Sequence, residues 1–557
     1  MTERTSGLPD HWDLETDVVV VGSGGAALTG ALTAANEGAE VIVLEKAPKL
    51  GGTTARSGGG VWIGANRHTA EVGVEDSRDD VLTYLKAICG QPGHDDIIEA
   101  IVDRGIAMVG YLEDNDVLCF EPYPSVGGTL DYRPWAPGAK YGGRPLTAGN
   151  FEVGQLGDAA NMIDAVHLMD VYVDKLDFYR KRLFQTGGDR PTSEDAADRG
   201  EGPWFGNGTA LIAHLLKGCL DRGVNVHTSA RVEELSVDQG VVVGVRASIN
   251  DQSTWIHAKA GVLLACGGFE HNPMLRTEFL SRPLELTCGV ETNEGDGHVM
   301  GMSVGAQLAN LADAWWQMVT EVIDNDGAPR SVHIRAERCN PHSIIVNQHG
   351  ERFMNEAINY YDATQAFGTK QDGSRNLPAW LLVDQQYRDK YPLLPTVQVN
   401  ADAGEPHWLR SARSLSEMAA TLGIDRAALA RTVERFNGFA RQGVDEDFGR
   451  GESTWDREWG DPEQQPNPSL GTLEKPPFYA VEMKPGAMGT KGGLKINPNA
   501  EVIAAATGEA IPGLYAAGNT SNGTVPHGYA GPGATIGPGM TFGYVAGLEL
   551  ARRQKEM

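Results

Sequence analysis

Residues 17–60 read DVVVVGSGGAALTGALTAANEGAEVIVLEKAPKLGGTTARSGGG. Val18 to Val21 is an uninterrupted apolar run, which predicts a strand buried on both faces. It passes directly into Gly22-Ser23-Gly24-Gly25-Ala26-Ala27 and then into an Ala-rich helix that stops at Gly38. A second apolar strand, Val41 to Leu44, ends on Glu45. Gly22 permits the tight turn, Gly24 lets the backbone approach a pyrophosphate, and Ala27 lets the helix lie close to the strand. The start of the helix then offers N–H groups and the positive end of its dipole to phosphates. Glu45 is placed to accept hydrogen bonds from a ribose diol. A glycine-rich turn can be purely structural, but here the flanking strand, helix, second strand and acidic residue are all present. The reading is a dinucleotide site.

Working outward, Glu45-Lys46 leads to Gly51-Gly52-Thr53-Thr54 and then to Ser57-Gly58-Gly59-Gly60. With these segments the chain resembles the flavoprotein family of succinate dehydrogenase, fumarate reductase and the 3-ketosteroid dehydrogenases. That resemblance implies FAD wrapped by the Gly-Gly-Thr and Ser-Gly-Gly backbone. No histidine lies between Gly51 and Gly60, so the FAD is expected to be held non-covalently. It also implies an α/β fold: a Rossmann-like FAD-binding domain with an inserted α+β substrate (capping) domain. The expected division is 1–275 and 471–557 for the FAD-binding domain and 276–470 for the cap.

Composition narrows the function. A chain of 557 residues with 41% hydrophobic and 22% charged residues and 70 glycines describes a loop-rich enzyme of two or more domains. A formal charge of −27 argues against a nucleic-acid partner and against electrostatic docking on anionic lipid. No apolar run approaches the ~20 residues that span a bilayer. The polar N-terminus lacks a signal-peptide core. Six scattered cysteines with no CxxC predict no metal site and suit a reducing compartment, so the expected location is cytoplasmic, with loose membrane association left open for collecting an apolar substrate.

Further along, Ser77 to Cys89 and Asp95 to Asn115 show helical periodicity, and Phe120 to Leu146 is a Gly/Pro-rich loop carrying Tyr123, Tyr132, Trp135 and Tyr141. Residues 161–185 read as an amphipathic helix and 191–203 as a polar linker. Gly208 to Gly223 reads as a helix, followed by strands at 224–228, 241–247 and 261–264. By resemblance Val232 lies against the adenine, Ala265 and Gly267 stand where the chain leaves the flavin domain, and Asp296 belongs to a loop near the flavin ring. The closing segment, GLYAAGNTSNGTVPHGYAGPGATIGPGM, begins with a strand ended by Gly518-Asn519. A loop over Gly528 to Gly539 and a helix over Met540 to Arg552 follow, whose amides are expected to face the flavin.

Gly489-Thr490-Lys491-Gly492-Gly493-Leu494 and Tyr529-Ala530-Gly531-Pro532-Gly533-Ala534-Thr535-Ile536 resemble the signature of the 3-ketosteroid dehydrogenases. The resemblance implies that the Tyr529 hydroxyl and the Gly533 N–H bond a keto oxygen. DYRPWAPG points in the same way to Tyr132 as a substrate-site tyrosine. Where relatives carry a basic tyrosine in the strand before Ala336-Glu337-Arg338, this chain has His333, which becomes the candidate base with an ordinary pKa near ~6.5. The implied reaction removes a proton and a hydride from the carbons next to a ring ketone. The substrate is a small apolar ketone in an uncharged cleft, a 3-ketosteroid or a smaller cyclic ketone such as cyclohexanone; the sequence leaves the electron acceptor unidentified. Fumarate reduction is the rival. Arg352 matches that branch, but Gly518 to Met540 has none of the Arg or Lys clamps a dicarboxylate needs. A flavin-binding electron carrier is the reading from another class.

Overall fold

The structure is a computed structural model that describes residues 8–557 apart from 91–92, 124–129, 166–203, 324–328, 336, 370, 372, 374–375 and 395–405. The linker expected at 191–203 and most of the helix expected at 161–185 lie outside the described residues.

The strand Leu14–Val21 sits inside a parallel sheet, paired with Val41–Leu44 on one side and Gln252–Leu264 on the other. Asn225–His227 extends the sheet past Val41–Leu44, and Ala510–Ala516 extends it past Gln252–Leu264, both in parallel. Val18, Val19 and Val20 are fully buried, as an unbroken apolar run requires when both faces are covered. Helix Gly25–Asn36 packs against Asn207–Asp221 and against the C-terminal helix Ile536–Glu556. Two more strands, Ala230–Asp238 and Val241–Ile249, continue antiparallel from the first half of Gln252–Leu264. The sequence reading passes over Ala230–Asp238, whose Arg and Glu residues break its apolar alternation.

A second sheet is built on two long strands, Leu308–Ile323 and Phe478–Leu494, paired antiparallel. Pro329–His333 adds to the first of them, and Ala379–Asp384 with Ser343–Asn347 to the second. Alternate residues go to opposite faces. Ile345, Leu381 and Val481 enter one apolar cluster, while Ile344, Leu382 and Ala480 enter another. The fold class is α/β, with this α+β unit inserted between two segments of the Rossmann-like sheet.

The C-terminal helix begins at Ile536, four residues before its expected start at Met540. Pro538 looks like loop in sequence, but proline costs nothing in a first turn, where its missing N–H has no partner to lose. Among the described residues no helix is long and apolar enough to cross a membrane.

Candidate active site

Gly22 turns with φ +105°, and a Cβ there would lie 2.5 Å from the Ala265 carbonyl oxygen, so glycine alone fits. Beside it the Ser23 hydroxyl donates to Glu45 Oε2 (2.6 Å) and accepts the Gly51 N–H (2.9 Å). The Ala47 N–H donates to Glu45 Oε1 at 2.8 Å. These bonds fix the carboxylate at the strand end, and burial raises its pKa. Helix Gly25–Asn36 follows Gly24 with no side-chain cap, and of its first-turn amides the Gly25 N–H donates to Thr54 Oγ1 at 3.2 Å.

This turn opens onto a long cleft. Lining it are Gly22, Gly24, Gly25, Ala26, Glu45, Lys46, Gly52, Thr53, Thr54, Ser57, Gly58, Gly59 and Gly60. Val232, Ala265, Gly267, Asp296, Gly518, Asn519, Gly533, Thr535 and Ile536 line it as well. Of the residues expected to hold the cofactor, only Ala27, buried in its helix, and Gly51 stand off it. Lys46 reaches Glu294 at 2.9 Å and Asp296 at 2.7 Å, and Arg231 reaches Asp296 at 2.9 Å, so charge is balanced at this end. A long trough walled by glycine backbone fits a dinucleotide laid along it.

At the other end the cleft is aromatic. Tyr132, Tyr360 and Tyr529 all line it, with the Tyr529 ring 5.1 Å from Tyr132, 5.5 Å from Tyr360 and 4.9 Å from Trp315. The Tyr132 hydroxyl donates to that of Tyr360, and the Tyr529 hydroxyl bonds Thr535 Oγ1 at 3.0 Å. Three ties fix this geometry. The Asn359 side-chain amide donates to the Tyr132 carbonyl (3.0 Å), Arg133 grips Asp362 with two bonds (3.0 and 2.6 Å), and the Tyr132 N–H donates to the Ala530 carbonyl (3.0 Å). Burial raises all three phenols well above their ordinary pKa of 10, while the charge of Arg335 works in the opposite direction. Gly533, at φ +90°, lies against Gly60 so closely that a Cβ would sit 2.4 Å from the Gly60 carbonyl carbon.

Two sequence expectations change here. The cleft is not free of charge, because Arg335 stands on its wall with the tyrosines. His333 is not among the lining residues; it pairs with Val319 in the second sheet, and burial, assisted by Arg335, pushes its imidazole down to about 3. Arg352 is also off the wall. It is buried and held by Glu356 (2.8 and 2.7 Å) and Asp445 (3.1 and 2.8 Å).

The family of FAD binding domain proteins matches residues 17–536. A 3-oxosteroid 1-dehydrogenase of Mycobacterium tuberculosis is 40% identical over 96% of this chain and 98% of its own length.

The chain belongs to the FAD-dependent 3-ketosteroid dehydrogenase family.

As a member it is a flavoprotein oxidoreductase with FAD as cofactor. A 4-oxocyclohexanecarboxylate 2-dehydrogenase of Sinomonas cyclohexanicum is 39% identical over 96% of this chain and 92% of its own. A 3-ketosteroid Δ1-dehydrogenase of Sterolibacterium denitrificans, solved with 1,4-androstadiene-3,17-dione, superposes with TM-score 0.88 at 32% identity, covering 97% of this chain and 99% of that one.

Sequence reasoning missed Ser23, Arg335 and Tyr360. Tyr360 had a readable signal: Asn359-Tyr360-Tyr361-Asp362 starts a helix, with Asn359 accepting the Asp362 N–H, which places Tyr360 in its first turn. Nothing local in the sequence says that this turn meets Tyr132.

Proposed function

We propose that this flavoenzyme introduces a double bond next to the ketone of a 3-ketosteroid, giving an enone. The relatives named as 3-oxosteroid 1-dehydrogenases support the substrate. The observation that carries the reaction is the cluster of Tyr132, Tyr360, Tyr529 and Gly533 on the cleft wall, beside the glycine trough.

In this reading the trough residues hold FAD non-covalently; among the residues lining the cleft there is no histidine to anchor it. When bound, FAD supplies the acceptor for the hydride leaving the β-carbon. The chain's own residues do the rest. Tyr529 Oη–H and Gly533 N–H donate to the keto oxygen and stabilise the negative charge it gains, each worth about 3–4 kcal/mol in comparable sites. That polarisation acidifies the α C–H. The C–H electron pair moves into the enolate as the proton goes to Tyr360 Oη, which must first release its own proton to solvent, and Tyr360 takes the role of base from His333. Tyr132 donates to that oxygen, and Arg335 lowers the cost of its charge. The three buried tyrosine rings exclude water from the reacting carbons.

Residues 276–470, together with the strand Phe478–Leu494 that completes their sheet, act as the cap over this site, and 1–275 with the rest of 471–557 act as the flavin domain. The six cysteines form no disulfide, which supports a reducing, cytoplasmic location. A quinone or similar carrier suits the role of electron acceptor.

Arg335 favours a second reading, in which the ring ketone bears a carboxylate, as the name of the Sinomonas relative states for that protein. Anaerobic mixing separates the possibilities. A 3-ketosteroid should bleach the flavin at once. Bleaching by 4-oxocyclohexanecarboxylate and not by steroids selects the second reading, and no bleaching by any ketone leaves only an electron carrier.

A further inference from the structure

Behind the tyrosines lies a buried cation that the reaction above does not use. Lys491 is fully buried on Phe478–Leu494, directly opposite Asp313 on Leu308–Ile323, and the register shifts on both sides of this pairing. Such irregularities re-aim side chains out of the ordinary pleat. Lys491 Nζ donates to the Gly528 carbonyl at 2.6 Å and lies 3.6 Å from Asp313 Oδ2. The Tyr361 hydroxyl donates to that same carboxylate oxygen at 2.6 Å, and its oxygen accepts the Gly528 N–H at 3.1 Å. Both backbone polar groups of Gly528, the residue before Tyr529, are therefore gripped by one network. Asp313 is itself fixed, its other oxygen accepting Trp316 Nε1–H (2.6 Å) and the Ala314 N–H (2.9 Å). The Lys491 ammonium also lies 4.5 Å from the ring of Trp315, whose edge packs on Tyr529.

A carbonyl needing one donor can be satisfied by a neutral side chain, whereas an ammonium in a dry interior carries a desolvation cost. What the charge adds is stiffness and strength in the bond it makes. We propose that Lys491, Asp313 and Tyr361 form a positioning clamp that holds the Tyr529 hydroxyl against the substrate's keto oxygen, and that the clamp requires the protonated form of Lys491. This rests on the role given to Tyr529 above.

Burial pushes Lys491 down to about 8, opposed by Asp313. The groups facing it are Asp313, Tyr361 and the Gly528 carbonyl, with the Cys89 thiol and the Arg133 guanidinium further off and His527 3.8 Å from Asp313. In an unfolded chain a lysine titrates near ~10.4. Between about pH 8 and 10 the unfolded state therefore binds the extra proton, so this group makes stability rise with pH. Turnover should fall over the same interval. A merely structural lysine would not set the two in opposition.

The test measures kcat, KM and thermal midpoint against pH for the FAD-loaded wild type, Lys491→Met, Lys491→Arg and Tyr361→Phe. Lys491→Met should lower kcat about 10- to 100-fold with KM within about twofold, the scale of a misplaced reacting group. It should also lose both the alkaline fall in turnover near pH 8 and the accompanying rise in thermal midpoint. Lys491→Arg should restore part of kcat and move the alkaline fall upward. Tyr361→Phe keeps the ring and decides the matter if Lys491→Met fails to fold; it should lower kcat at least about threefold. Wild-type kcat and an unchanged alkaline limb in these variants overturn the clamp alone. A wild type whose flavin no ketone bleaches overturns the function, and the clamp with it.

Discussion

The hydroxyl of Tyr132 is hydrogen-bonded to the hydroxyl of Tyr360, 228 residues further along the chain. Tyr132 stands in a loop and Tyr360 opens the helix Tyr360–Gln365. The bond exists because Asn359 and Arg133 lock that helix to the Tyr132 loop. Burial and the neighbouring Tyr132 hydroxyl raise the cost of a phenolate on Tyr360, and the charge of Arg335 works against them.

Tyr360→Phe should lower kcat about 10²–10⁴-fold, the range for losing a general base. It should also abolish exchange of the ketone's α-hydrogens in D2O. His333→Ala should leave both within about threefold, because a group titrating near 3 is a poor proton acceptor at neutral pH. Reversed results would return the base to His333.

On the proposed mechanism Tyr529→Phe removes one of two donors to the keto oxygen, and from the trough wall it takes only a bond to the Thr535 hydroxyl. The expected result is a fall of about 10²–10³-fold in kcat with the flavin absorbance unchanged. Equal activity would rule Tyr529 out.

Arg133→Met breaks a half-buried pair with Asp362 and frees the Tyr132 loop. Stability should drop by about 1–3 kcal/mol, between the values for exposed and buried pairs. The fall in kcat should exceed any rise in KM, since the loop orders a catalytic group. Steady-state kinetics alongside thermal melts would show this.

Arg352→Met tests the acid-binding alternative. Burial pushes the Glu356 and Asp445 carboxyls up, yet Arg352 overrides it and holds both below their ordinary values. Carboxyls depressed in the folded state stabilise it above their unfolded pKa near ~4, and that contribution disappears as pH falls through the folded values. The variant should lose about 3–5 kcal/mol at neutral pH by leaving buried Asp445 without its cation and Glu356 with Arg450 alone. Melting curves from pH 7 to pH 3 should converge with those of wild type. A selective loss of dicarboxylate turnover at unchanged stability would instead revive the fumarate reading.

The flavin trough was legible because its signals are local. Val18 to Val21, Gly22 to Ala27 and Glu45 each act through neighbours in sequence, and backbone geometry enforces them. The tyrosine cluster was half legible. Tyr132 and Tyr529 sit in recognisable loops, whereas Tyr360 joins them only through tertiary contacts of Asn359 and Asp362. His333 looked suitable in sequence because a strand does not reveal which of its faces meets the cleft. Pro538 misled in the opposite direction, since a first helical turn accepts what a helix interior rejects.

The long strand Phe478–Leu494 binds both Leu308–Ile323 and Ala379–Asp384, and it also carries Lys491, which bonds the Gly528 carbonyl beside Tyr529. Chimeras that exchange whole caps between relatives, with the splice placed within this strand, would sever the seam on which both halves are sewn. Swapping substrate preference by surgery therefore belongs in the loops around Tyr132 and Arg335, where the scaffold survives the graft.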